Sequence, residues 1–203
     1  MGKKVVSFLV SGKGLIFSAV AKGIMSGHIN AKPGVVITDV GTAPVLKRAK
    51  EFRYRSFHVE PRECASNDEY DKRLISILDK YNTDLVVTAG YLRLLSPFFV
   101  NKYRNRIINI HPSLLPSFPG IHSQQKALDY GVKITGCTAH FIDEGIDTGP
   151  IIMQAPVPIF ESDTVHSLSA RILKEEFFVL SESVKYFCEG KLDLVSRRVV
   201  IKK

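Results

Sequence analysis

Four short runs, at residues 5–10, 35–37, 85–89 and 107–110, are rich in Val and Ile and apolar at nearly every position rather than at alternate ones. A strand apolar on both faces has to be covered on both faces, which is the condition of a parallel sheet sandwiched by helices. The stretches between them, 15–25, 43–52 and 69–80, have helix length and period, and Asp71, Leu74, Ile75 and Leu78 form one amphipathic stripe. The resulting βαβαβ order predicts right-handed crossovers and an α/β, Rossmann-like, doubly wound and mostly parallel sheet. Beyond His111 the texture changes to a proline-punctuated loop, a short helix near 123–130, strand-like runs at 134–141 and 151–157, and one long helix over 164–187 that Ser162 or Asp163 would cap. No internal repeat, low-complexity stretch or linker interrupts the 203 residues, so a single domain over 1–203 is expected.

Open parallel sheets bind ligands beyond the carboxyl ends of their strands. The first such loop, Ser11-Gly12-Lys13-Gly14, leads into a helix whose opening residues are Leu15 and Ile16. It presents backbone N–H groups to an anion, or it is a plain tight turn. As a dinucleotide fingerprint it fails, because the third glycine would fall at Phe17; as a nucleotide-triphosphate loop it lacks both the spacing and the Lys-Ser or Lys-Thr pair.

The run Ile107-Ile108-Asn109-Ile110-His111-Pro112 places two polar side chains on one face of an otherwise apolar strand. An amide donor and a titratable imidazole side by side can hold a developing oxyanion, although a lone histidine is more often a satisfied core residue. Pro112, Pro116 and Pro119 stiffen the loop after that strand. The acidic cluster Asp143-Glu144-Gly145-Ile146-Asp147 lacks the ligand offsets of a calcium loop; it is an acidic turn, or its carboxylate raises the pKa of His111 and keeps it a cation when an oxyanion forms beside it.

Composition narrows the partners. The net charge of +8 admits anionic ligands, but the basic residues are scattered, and no basic stripe interleaved with aromatics marks a nucleic-acid reader. The pairs Arg197-Arg198 and Lys202-Lys203 read as solvated charge. No apolar run approaches the roughly 20 residues of a membrane span. The start Met1-Gly2-Lys3-Lys4 has no cleavage pattern, so a cytoplasmic protein is expected. Cys64, Cys137 and Cys188 lack metal or redox spacing and read as reduced and structural.

Three segments carry a resemblance that covers nearly the whole chain. They are Ala89-Gly90-Tyr91-Leu92-Arg93-Leu94-Leu95-Ser96-Pro97, then Asn109-Ile110-His111-Pro112-Ser113-Leu114-Leu115-Pro116 with Phe118-Pro119-Gly120, and His140-Phe141 through Asp147-Thr148-Gly149-Pro150-Ile151. The sequence resembles the glycinamide ribonucleotide formyltransferases, folate-dependent enzymes of purine synthesis. The resemblance implies that Asn109, His111 and Asp147 are catalytic and that formyltetrahydrofolate is the formyl donor. It implies that Arg93, Leu94 and Leu95, with backbone from about His140 through Asp143, Glu144 and Gly145 to Asp147, cradle the pterin. Gly12, Lys13, Gly14, Leu15 and Ile16 would face the substrate phosphate, and Glu176 would lie near the acceptor amine. Small molecules are the implied partners, with no metal, nucleic acid or membrane, for a monomer or homodimer.

Two positions depart from the family. Where it usually reads Ser-Asn after the second glycine of the first loop, this chain has Leu15 and Ile16, which removes two side-chain hydrogen bonds to phosphate at about 1–3 kcal/mol each. Asn67 stands near a position where relatives often carry an Arg beside the folate tail. Other acceptors fit less well: methionyl-tRNA formylation and formyltetrahydrofolate hydrolysis are associated with further domains that this chain is not expected to have.

Overall fold

The structure, a computed structural model, describes residues 2–202; Met1 of the amino-terminal run and Lys203 of the Lys202-Lys203 pair lie outside the described residues. The elements are, in order, β1 (Lys4–Leu9), α1 (Leu15–Ser26), β2 (Ala31–Thr38), α2 (Val45–Glu51), β3 (Arg55–His58), α3 (Asn67–Lys80), β4 (Leu85–Thr88), α4 (Pro97–Lys102), β5 (Ile107–His111), α5 (Ser123–Tyr130), β6 (Ile134–Phe141), β7 (Ile151–Pro158), α6 (Val165–Cys188), β8 (Leu192–Val195) and β9 (Arg198–Ile201). Seven strands form a mostly parallel sheet in the order β3-β2-β1-β4-β5-β6-β7, and β8 and β9 pair separately. The pairs β1–β2, β1–β4 and β2–β3 are parallel, while β6–β7 is antiparallel. The expected α/β class is the observed one. The residues fall into two compact units divided within β5, between Ile108 and Asn109.

In the first unit the sheet is buried because its strands are apolar on both faces. Phe8 of β1 meets Phe17 of α1 edge-on at 4.9 Å, and Tyr54 closes the group at 5.7 and 5.2 Å from the two rings. Phe17 fills the space that the third glycine of a dinucleotide fold keeps open. Gly14, at φ +69°, precedes α1 so tightly that a Cβ there would stand 2.5 Å from Val45 Cγ2. On α3 the predicted stripe is buried, together with Tyr70. Asp71 belongs to it as a polar anchor: its carboxylate accepts the Ser96 N–H at 2.7 Å, at the start of α4.

In the second unit β6 is buried along almost its whole length, and α6, which packs on β6, β7 and α5, buries Leu168, Ile172, Val179, Leu180 and Val184. Truncating one of these to Ala removes about 2–5 kcal/mol. The cap of α6 differs from expectation. Thr164, not Ser162 or Asp163, accepts the Ser167 N–H at 3.2 Å, and the Ser167 hydroxyl accepts the Thr164 N–H at 3.0 Å in return. Asp163 is already committed to the Arg171 guanidinium and the Phe160 N–H.

Three elements have weak sequence signatures and were not expected: β3, which is short and polar, α4, and the β8–β9 hairpin. The described residues of the basic tail are exposed, as expected of solvated charge, and they are ordered as well. Arg198 opens β9, Arg197 donates to the Thr148 carbonyl, and Lys202 pairs with Asp193 at 2.6 Å. Among the described residues no helix is long and apolar enough to cross a membrane. None of the three cysteines is in a disulfide, and burial pushes the Cys137 thiol up to about 12, which keeps it protonated.

Candidate active site

In the second unit, β5 ends with Asn109 and His111 two residues apart, β6 carries His140 next to its last residue, and the following loop turns Asp147 inward at φ +54°. A left-handed backbone is tolerated by Asp far better than by a branched side chain. Gly149 lets that loop close, since a Cβ there would lie 1.7 Å from the Phe141 carbonyl oxygen.

These four side chains form one cluster of close polar contacts. His140 is 2% exposed, and its Nδ1–H donates to the Phe141 carbonyl at 2.9 Å. Its Nε2 lies 3.2 Å from the Asn109 amide nitrogen, which orients the amide, and faces Asp147 as well. Asp147 Oδ1 lies 3.6 Å from His140 Nε2, while Oδ2 lies 3.3 Å from His111 Nδ1 and accepts the Gly120 N–H at 2.7 Å. The other nitrogen of His111 donates its Nε2–H to the Phe118 carbonyl at 3.0 Å.

The charges follow from these contacts. Burial pushes the Asp147 carboxyl up, but the His140 ring, the Gly120 N–H and the field of His111 together outweigh it and hold the pKa at about 2. For His111, burial is the largest influence and lowers the pKa; the Phe118 carbonyl and the Asp147 carboxylate oppose it without overcoming it. Asp147 does raise the pKa of His111, as expected, but in the free protein burial of the ring outweighs it and the net direction is downward. Both ring nitrogens nevertheless face acceptors, so a proton arriving at Nδ1 is held by Asp147.

The remaining expected residues of this unit are less tightly placed. Asp143 accepts the Gly145 N–H at 3.1 Å and the Thr148 hydroxyl at 2.6 Å, which shapes the turn, while Glu144 and Gly145 are exposed. Glu176 on α6 is buried, and burial alone pushes its carboxyl up to about 7, so it ionises readily only beside a cation.

In the first unit, the 12–16 loop supplies mainly backbone. Lys13 is exposed, Leu15 and Ile16 are half-buried, and α1 begins without a side-chain cap on its first N–H groups. Arg93 is clamped: its guanidinium lies over the Tyr70 ring at 4.8 Å and donates to Asn67 Oδ1 at 2.9 Å. Leu94 is 72% exposed and Leu95 half-buried. Asn67 thus serves as the acceptor for Arg93.

The formyl transferase family model matches residues 3–184. The chain belongs to that family. It is 34% identical to the phosphoribosylglycinamide formyltransferase of Escherichia coli (strain K12) over 186 residues, 92% of this chain and 88% of that protein. The crystal structure of glycinamide ribonucleotide transformylase 1 from Symbiobacterium toebii superimposes with a TM-score of 0.97 at 42% identity, covering 99% of this chain and 95% of the other. The chain is also 37% identical, over 194 residues, to the trifunctional purine biosynthetic protein adenosine-3 of Chironomus tentans. It spans 95% of its own length there and only 14% of that much longer protein.

Reading the sequence missed several members of this formyl transferase's site: His140 as partner of Asn109, the backbone groups of Phe118 and Gly120, and the side chains of Thr138 and Gln154 behind them. The one usable sign was polarity out of place. Thr138 and His140 sit in a strand buried at almost every position.

Proposed function

We propose that the protein transfers a formyl group from formyltetrahydrofolate to the primary amine of glycinamide ribonucleotide. The observation that carries this reading is the cluster of Asn109, His140, Asp147 and His111, in which an oriented amide, two buried imidazoles and a carboxylate held at about 2 are linked in a chain of close contacts. The neutral amine attacks the formyl carbon, a C–N bond forms, and the carbonyl electron pair moves onto oxygen. Asn109 and the His111 Nε2–H, held on the Phe118 carbonyl in the free protein, donate to that oxyanion. The amine's proton passes to the His111–Asp147 pair. Collapse re-forms the carbonyl, breaks the bond to the folate nitrogen and returns the proton to it.

Roles elsewhere follow from chemistry. The backbone N–H groups of Gly12 to Ile16 suit a phosphate, the clamped Arg93 with Leu94 and Leu95 suits an aromatic pterin, and Glu176 suits the approach of a cationic amine. Small-molecule substrates in the cytoplasm of the cell complete the reading.

A second acceptor has one observation behind it: Leu15 and Ile16 leave the first turn of α1 without side-chain donors for phosphate. Incubation with formyltetrahydrofolate and glycinamide ribonucleotide, following release of the folate product, tests both. Turnover is expected. Turnover only with an unphosphorylated amine overturns the acceptor, and tight folate binding without formylation of any amine makes the protein a folate binder.

A further inference from the structure

We propose that Gln154, on the edge strand β7, is a positioning residue that sets the orientation of the His111 imidazole through the 113–118 loop. Its catalytic consequence rests on the formyl-transfer reading; its structural consequence does not.

The carbonyl that receives His111 Nε2–H belongs to Phe118, in a loop outside the strands and helices that is closed by one backbone bond, from the Ser117 N–H to the Leu114 carbonyl at 3.0 Å. What ties the loop to the sheet is a pair of side chains that face each other across antiparallel strands, Thr138 of β6 and Gln154 of β7. Thr138, fully buried, donates its hydroxyl to the Ser113 carbonyl at 2.7 Å and accepts the Leu115 N–H at 3.0 Å. Gln154 Nε2 donates to the same hydroxyl oxygen at 2.9 Å and to the Leu115 carbonyl at 2.9 Å. The threonine's one hydrogen and two lone pairs are thereby used, and both hydrogens of the glutamine amide are used. Inside the loop, the Ser113 hydroxyl donates to the Ser117 carbonyl at 2.6 Å, and Phe118 is the next residue.

The amide can stand only one way round. Turned over, its oxygen would face the Leu115 carbonyl and the acceptor side of Thr138. Gln154 is exposed, so neither core packing nor helix propensity explains an amide with both hydrogens committed to the loop.

The neutral imidazole has a single ring proton and two acceptors for it, Phe118 O at Nε2 and Asp147 Oδ2 at Nδ1. Fixing the loop keeps Phe118 O in place and the proton on Nε2, where it serves as a donor, and leaves Nδ1 to receive a proton. Releasing the loop lets the proton move to Nδ1 and the ring turn toward Asp147.

The test uses the full chain with 15N-labelled histidine, carrying Gln154→Leu or Gln154→Glu. In the wild-type protein, at a pH where the ring is neutral, the His111 nitrogens should show the Nε2–H tautomer, and Gln154→Leu should raise the Nδ1–H population. In the formylation assay kcat should fall about tenfold, the equivalent of one hydrogen bond of about 1.4 kcal/mol, with KM for both substrates within about twofold. In Gln154→Glu the carboxylate has no hydrogen for Leu115 or Thr138, and protonation returns one. The ratio of variant to wild-type kcat should therefore rise as the pH falls. Unchanged His111 nitrogen signals in both variants overturn the proposal, as does a kcat within twofold of wild type accompanied only by a lower melting temperature. Absence of turnover in the wild type would count against formyl transfer alone, because the tautomer measurement decides the positioning role without it.

Discussion

The 12–16 loop and the cluster around Asp147 are both suited to small polar ligands, yet they do it with opposite means. In the loop the candidate donors are backbone N–H groups at the start of α1, with apolar side chains beside them and one exposed lysine. In the cluster every contact is made by a side chain whose geometry is fixed by another group, from the Phe141 carbonyl through His140 to Asn109, and from Gly120 through Asp147 to His111. A backbone site tolerates side-chain change and is tuned in affinity. A site of mutually oriented side chains has little slack, because each buried polar group depends on its partner.

The sharpest way to break this contrast is Asn109→Ala. Removing one oxyanion donor should lower kcat by about 10²–10³-fold. Turnover at the wild-type rate would remove Asn109 from the mechanism.

Next in size is Glu176, a buried carboxyl with no stabilising influence, set against Asp147, a carboxyl with several. Its pKa rises from 4.5 to about 7 on folding, so between those values the folded state binds the proton more tightly than the unfolded state. Its contribution is therefore most favourable below pH 4.5 and is lost as the pH rises through about 7, by roughly 3 kcal/mol at most. Chemical denaturation of Glu176→Gln should show less loss of stability between pH 5 and 8 than the wild type shows. An unchanged pH dependence would mean that the carboxyl is solvated.

Restoring polar side chains to the first loop should act on binding alone. With Leu15→Ser and Ile16→Asn together, KM for glycinamide ribonucleotide should fall roughly tenfold or more while kcat stays constant. If KM is unmoved, the phosphate lies elsewhere or the true acceptor carries none.

The smallest effect is a titration. His111 should titrate below the ordinary histidine range of about 6.5 when followed by NMR, and Asp147→Asn should lower the midpoint further, since the carboxylate pushes it up. An upward movement would contradict the assigned contacts.

Where the chain's own pattern was decisive, the cause was local. Buried runs such as Leu85–Thr88 cannot be satisfied except inside a covered parallel sheet, and α5 and α6 announce themselves by period. Asn109 and His111 stood out because two polar groups interrupt an apolar strand on one face. The β8–β9 hairpin did not stand out, because short half-exposed strands alternate weakly and Arg197-Arg198 resembles a solvated turn; its contacts with Thr148, with β7 and between its own two strands define it.

The primary sequence by itself therefore determined the layer architecture, the chemical identity of Asn109, His111 and Asp147, and the apolar character of the first loop, all properties of residue type and spacing. Only the tertiary structure decided the charge of His111, because burial of the ring outweighs a carboxylate that the sequence places nearby without revealing the solvent it excludes. The tertiary structure also supplied the partners that hold the site. His140 reaches Asn109, Gly120 reaches Asp147, and Gln154 reaches Leu115 across 39 residues of chain, distances that no local pattern records.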